Sequence, residues 1–227
     1  MGMFLLPVSI IRKLNQLLRK FWWGYNEDTF KIQWVGSDKI NTNKESGGLG
    51  FRDFKRFNLA LLSRQGWRII HNPNSLVSMI LKQRYFSQVG LLDSRLGPGP
   101  SFAWKGIQAG LTLLRKGIVW RIGNGTKVNI WKDRWITGFQ LGKVLSTRDA
   151  DYWCEKVSDL IDPQQKKWKE SLLLELFSHQ EIEAIKAIPI SLGGRDDVRI
   201  WPWTNNGLFT VKSCYHFGRD MDRHLEG

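Results

Sequence analysis

With 227 residues, 42% hydrophobic and 24% charged, the chain can build one sizeable core, or a core with a smaller satellite. Its two cysteines, Cys154 and Cys214, exclude a disulfide framework and suit a reducing compartment, and no stretch reaches the roughly 18 apolar residues of a membrane span. The net charge of +13 is one-sided: residues 1–135 hold 22 Lys/Arg against 7 Asp/Glu, while residues 136–227 hold 12 against 14. Such basicity, interleaved with twelve tryptophans, points to a polyanion partner, nucleic acid ahead of an anionic membrane.

The chain opens with Pro7 and an apolar stripe at helical spacing, Ile10, Ile11, Leu14, Leu17, Leu18, Phe21 and Trp22. Arg12, Gln16, Arg19 and Lys20 take the other side, and Gly24 ends the helix; the stripe is expected in the core. This acid-free start resembles a mitochondrial presequence, but its low Ser content and Trp22–Trp23 favour a structural helix. Lys31–Val35 alternates as a short strand would, and Ser37–Ser46 is a polar connection.

The central stretch is Gly47–Ile70, where three glycines in four residues lead into a dense helix. Its apolar residues surround the axis rather than forming one stripe, so this helix packs on more than one side. His71-Asn72-Pro73 breaks it. Leu76, Met79, Ile80 and Gln83 predict a third helix running to about Phe86. After Gly97-Pro98-Gly99-Pro100, Ser101 caps a fourth, with Ala103, Ile107, Leu111 and Leu114 inward and Gly117 as the stop.

Residues 118–131 read as a β-hairpin turning at Gly123-Asn124-Gly125. This odd loop pairs Trp120 with Val128 and Ile118 with Ile130 and needs Gly125 left-handed. Its polar side would present Arg121, Lys127 and Asn129. Residues 138–150 read as a linker. Beyond them, Trp168–Phe177 predicts a short helix, and Ser178 with Glu181 a capping box opening another, with Pro189 after its end. A second hairpin over 198–212 turns at Asn205-Asn206-Gly207 and pairs Trp203 with Phe209, with Pro202 confining its first strand to an edge. The expected fold is α+β, mostly helical with two short β-hairpins. It comprises a basic region 1–137, the linker, and a smaller acidic portion 151–227 ending in a polar tail.

Motifs for chemistry are absent from the sequence. The glycine clusters match no phosphate loop, Cys214 and His216 are the only close Cys/His pair, and Asp196-Asp197 fits a turn entering a strand better than a two-metal site. No cofactor, metal, membrane or small-molecule substrate is expected. Trp131 and Trp135, beside Lys132 and Arg134, are the tryptophans best placed to stack on bases.

Taken together, residues 4–24, 31–35, GGLGFRDFKRFNLALLSRQGWRII (47–70), 101–107, 113–136 and LFTVKSCY (208–215) resemble the reverse transcriptases of plant LINE-type (non-LTR) retrotransposons. In that family the matching region lies beyond the catalytic palm, in the thumb and the linker before a zinc-binding domain and RNase H. The Tyr-x-Asp-Asp palm motif does not stand in this sequence, and twelve residues after Tyr215 are too few for the zinc ligands. The resemblance implies a non-catalytic piece of a larger enzyme that contacts RNA or DNA without reading sequence, and it leaves the compartment open, nucleus and mitochondrion both being compatible. Candidate contacts are Arg52, Lys55, Arg56, Arg64, Arg68, Arg121, Lys127, Trp131, Lys132 and Arg134. The alternatives are an inactive retroelement remnant or a protein-interaction module.

Overall fold

The computed structural model describes residues 2–24, 41–42, 47–139, 142–147, 153–191 and 193–225. The strand expected at 31–35 and most of the polar connection after it lie outside these residues. Among the described residues, seven α-helices and two small antiparallel sheets form an α+β fold dominated by helix. The chain forms two compact units: residues 1–114 with 211–227, and residues 115–210. These boundaries differ from the expected division at 137 and 150, because the C-terminal segment returns to the first unit. Formal charge follows the units, net +10 for the first and +3 for the second.

The first unit is built on α2 (Phe54–His71), flanked in sequence by α1 (Val8–Trp22), α3 (Leu76–Tyr85) and α4 (Phe102–Gly117), whose last three residues belong to the second unit. Gly47 and Gly50 precede α2 at φ +75° and +71°, a conformation that excludes most side chains. Asp53 caps α2, its carboxylate accepting from Arg56 N at 3.0 Å. Residues on several sides of α2 are buried, including Asn58, Ala60, Leu62, Gly66 and Ile69, as its all-round apolar pattern predicted. Asn58 accounts for a polar group in this core. Its Oδ1 accepts from Leu6 N at 2.9 Å and its Nδ2 donates to Phe4 O at 3.0 Å, holding the segment before α1. Ser101 caps α4 through Trp104 N, and Trp104 is fully buried with its ring stacked on Tyr85.

Two expectations fail in this unit. The stripe of α1 forms, but no residue of this helix is buried, and Phe21 is 84% exposed. Helical spacing fixes which side is apolar, not whether anything covers it. The expected polar tail is instead part of α7 (Val211–Leu225), the main packing partner of α2. Tyr215 Oη accepts from Asp53 N at 3.0 Å, and Asp222 takes Arg56 Nε at 2.9 Å. Val211, Cys214, Phe217, Gly218 and Met221 recur at helical spacing, so the helix was legible; reading 208–212 as strand concealed it. Cys214 lies buried in this packing, and burial pushes its thiol up to about 12, which keeps it protonated.

In the second unit neither expected hairpin closes on itself. β1 (Val119–Arg121) pairs antiparallel with β4 (Val198–Ile200), setting Trp120 opposite Arg199, not Val128. Val128 and Ile130 turn to the 3-10 segment Val157–Leu160 and the residues before it: Val157 N donates to Val128 O, and Ile130 N to Glu155 O. After β4 the chain turns at Pro202, Trp201 N bonds Gly207 O, and Phe209 meets the buried Trp201 edge-on at 5.0 Å. The second sheet, β2 (Ile161–Asp162) with β3 (Lys167–Trp168), has no counterpart in the expectations. Helices α5 (Glu170–Leu176) and α6 (His179–Lys186) stand close to where periodicity placed them. Their inward faces, Leu173, Leu176, Ile182 and Ile185, join Ile122, Val128, Ile130, Trp135, Val157 and Leu160 in one core.

The expected linker is also drawn into this unit. Gly142 O accepts from Trp135 N and Ile136 N, while Leu145 N and Ser146 N donate to Glu181. The capping box therefore does more than start α6. Glu181 is fully buried and its carboxylate accepts five hydrogen bonds, from Leu145 N, Ser146 N and Oγ, and Ser178 N and Oγ.

Candidate nucleic-acid interface

The ten candidate contacts divide equally between the units. Arg52, Lys55, Arg56, Arg64 and Arg68 belong to the first; Arg121, Lys127, Trp131, Lys132 and Arg134 belong to the second.

On α2, Arg64 and Arg68 are four residues apart and exposed, so they share one face a single turn apart. Lys55 is exposed near the N-terminus; nine residues, about half a revolution modulo whole turns, place it on the opposite side from Arg64. Arg52 lies beside it, its guanidinium 4.9 Å from the Phe57 ring centre. Arg56 does not join this exposed set. It is half-buried and bridges Asp53 at 3.2 Å and Asp222 at 2.9 Å, tying α2 to α7. Its charge is engaged in packing.

In the second unit the loop after β1 is organised by Asp197. This buried carboxylate accepts from Gly123 N and Gly125 N on Oδ1, at 2.7 and 2.9 Å, and from Lys127 N on Oδ2 at 2.9 Å. Gly125 is left-handed at φ +75°, as the turn required, though the strand pairing expected around it does not form. Asp196, next in line, is exposed and pairs with Lys127 Nζ at 2.6 Å. The two neighbouring carboxylates thus have separate tasks, one inside the fold and one on its surface. Asn129 closes the following turn by accepting from Trp131 N and Lys132 N, both at 3.0 Å. Arg121 and Lys132 are exposed. Arg134 is half-buried, and burial lowers its pKa from the ordinary value.

The tryptophans considered for base stacking are absorbed by the core. Trp135 is fully buried and donates to Ile130 O at 3.0 Å. Trp131 donates to Cys154 O at 2.9 Å and stacks on Phe177 at 5.8 Å. Both rings turn toward the core, while Lys132 between them is exposed.

Replacing Asp197 by Ala strands three amide donors in a buried loop and is expected to cost about 2–4 kcal/mol. Asp196→Ala removes one exposed pair and is expected to cost under about 1 kcal/mol. Chemical denaturation of both variants checks this, and equal stabilities would refute the role given to Asp197.

No protein-family profile matches the chain, and no solved structure matches it. Similarity to plant proteins is clear. The chain is 42% identical over 137 residues, 60% of its own length and 89% of the relative's, to "Uncharacterized mitochondrial protein AtMg00310" of Arabidopsis thaliana, and it belongs to that protein's family. Over 224 residues, 95% of its length, it is 34% identical to "Putative ribonuclease H protein At1g65750" of the same plant. It spans 35% of that longer relative.

Proposed function

We propose that the chain is a non-catalytic, nucleic-acid-contacting segment derived from a plant LINE-type reverse transcriptase polyprotein. The observation that carries the nucleic-acid role is the charge on α2. Lys55, Arg64 and Arg68 stand exposed on the helix that organises a unit of net +10, and Arg52 is exposed just before its cap. Side chains of this kind engage phosphates without reading bases, so affinity is set by charge count and falls with salt. The derivation is supported by the resemblance of residues 47–70 and 113–136 to that family, and by similarity along almost the whole chain to a relative nearly three times as long. In such a polyprotein the polymerase and RNase H chemistry belongs to other segments.

The test is a titration of the whole chain with single-stranded RNA and with an RNA–DNA hybrid at 50 and 200 mM salt. Engagement of three to four phosphates predicts affinity about tenfold or more lower at the higher salt. Arg64→Gln with Arg68→Gln is expected to weaken both ligands alike and to flatten the salt dependence. Absence of binding at 50 mM salt sinks the reading.

One observation favours a second reading, a protein-interaction module. Much of the apolar side of α1 is open, with Ile10, Leu17, Phe21 and Trp22 all exposed and Ile11, Leu14 and Leu18 half-buried. An uncovered stripe of this width marks a surface for contact with other polypeptide.

A further inference from the structure

The second unit contains a cleft of about 750 Å3 in the part of the chain whose sequence reads as acidic. Four lysines, Lys166, Lys167, Lys169 and Lys186, line it together with the half-buried Trp168. Asp162 and Glu170 are the acids that share the lining, leaving an excess of two positive charges. Three of these lysines lie within two residues of Trp168 in the sequence, and folding brings in the fourth. Lys186 is on α6, seventeen residues beyond Lys169, and reaches the cleft because α5 and α6 fold back on each other.

The cleft is a built feature. β2 and β3 are joined by a tight turn in which Asp162 Oδ1 accepts from Gln164 N at 2.8 Å and Gln165 N at 3.0 Å, and Asp162 O from Lys166 N at 2.8 Å. Lys166 stands at φ +50°, the one positive φ of a non-glycine among the described residues. A side chain there costs roughly 1 kcal/mol relative to glycine, so the turn holds a lysine at the rim against its own backbone preference. Trp168 is anchored through Nε1 to Ile188 O at 3.3 Å, with Trp135 6.2 Å behind it. Lys186 is steadied by Glu170 at 2.8 Å and Lys169 by Asp159 O at 2.9 Å.

We infer that this cleft binds single-stranded nucleic acid, Lys166 and Lys167 holding successive phosphates while a base stacks on Trp168. An anchored aromatic wall beside a row of cations meets the two needs of a single strand, a platform for an unpaired base and charge along the backbone. Duplexes keep their base faces internal and have only the cations to use. The inference rests on the nucleic-acid reading above, but it assigns the contact to a different unit and to different residues.

Lys166 and Lys167 are exposed, so Lys166→Gln with Lys167→Gln is expected to leave the circular dichroism unchanged. The probe is a fluorescein-labelled uridine 12-mer titrated into the whole chain at low salt, with a 4-thiouridine version for photocross-linking. The double variant is expected to bind five- to tenfold more weakly, with the slope of log affinity on log salt smaller by about 1.4, the value for two phosphates of a single strand. Cross-links are expected in the peptide holding Trp168, and a duplex of the same length should compete poorly. Unchanged affinity of this variant, with cross-links confined to α2, overturns the cleft and leaves the α2 reading intact. Loss of binding in the cleft variant, with Arg64→Gln/Arg68→Gln unaffected, upholds the cleft and overturns the α2 reading. A wild-type chain that binds no 12-mer at low salt overturns both.

Discussion

Acidification between about pH 4.5 and 2 is expected to remove on the order of 3 kcal/mol from the second unit through Glu181 alone. Burial by itself would raise the pKa of this carboxyl. Hydrogen bonds from Ser146, Ser178 and the backbone of residues 145 and 146 outweigh burial and hold it at about 2, against an ordinary 4.5. Because the folded value is the lower one, the contribution is complete above about pH 4.5. It declines as pH falls toward 2, when the folded carboxylate also takes up its proton. Glu181→Gln keeps the shape but brings an amide that donates toward groups which themselves donate. At neutral pH the variant should be about 3 kcal/mol less stable than wild type, and this gap should close as pH is lowered. Denaturation midpoints for both proteins at pH 7, 4.5 and 3 measure it. A gap that does not change with pH would mean that the charge on Glu181 is not what secures residues 145–146 and the start of α6.

Gly110→Ala is the second large effect, and helix propensity predicts its sign wrongly. In an exposed helix the change would stabilise by about 1 kcal/mol. Here a Cβ on Gly110 of α4 would lie 2.4 Å from Leu62 C and Ser63 N, backbone atoms of α2. The helices cross so closely that the side-chain hydroxyl of Ser63 on α2 reaches the backbone carbonyl of Gly110 on α4, with Oγ 2.8 Å from O. Backbone cannot swing aside as a side chain can, so the helices must separate, and a net loss near 3 kcal/mol is expected. Gly66→Ala is the control. Its Cβ would meet Leu111 and Leu114 only at methyl ends, 2.8 Å away, and modest shifts of those methyls against the gain in propensity should leave stability within about 1 kcal/mol. Thermal unfolding of the two variants separates the cases. Stabilisation by Gly110→Ala would refute the backbone contact.

The candidate interface shows why basic residues in sequence are an incomplete guide to a binding surface. Arg56 and Arg64 are indistinguishable by composition, yet Arg56 joins α2 to α7 while Arg64 stays exposed. Lys166 and Lys167 lie in an acidic portion of the chain and still line a cleft with an excess of positive charge. Local charge density depends on what folding places opposite, and Asp222, Asp196 and Lys186 come from distant positions in the chain.

Local sequence by itself determined the helices, because periodicity, caps and breakers act within a few residues. The burial of α2 on several sides, the Ser101 cap, the Ser178–Glu181 box and the left-handed Gly125 follow from neighbours in the chain. Only the tertiary structure decided the strand partners. Residues 118–131 contain a sound turn and an acceptable register, but Asp197, some seventy residues away, satisfies three amides of that loop while β4 takes the edge of β1. A hairpin rule weighs a turn against the strands beside it and cannot include a buried carboxylate supplied from elsewhere. The same limit explains α1 and α7. Both carry an apolar side that spacing reveals; α7 packs against α2, whereas no residue of α1 is fully buried, and how far such a face is covered is a property of the fold.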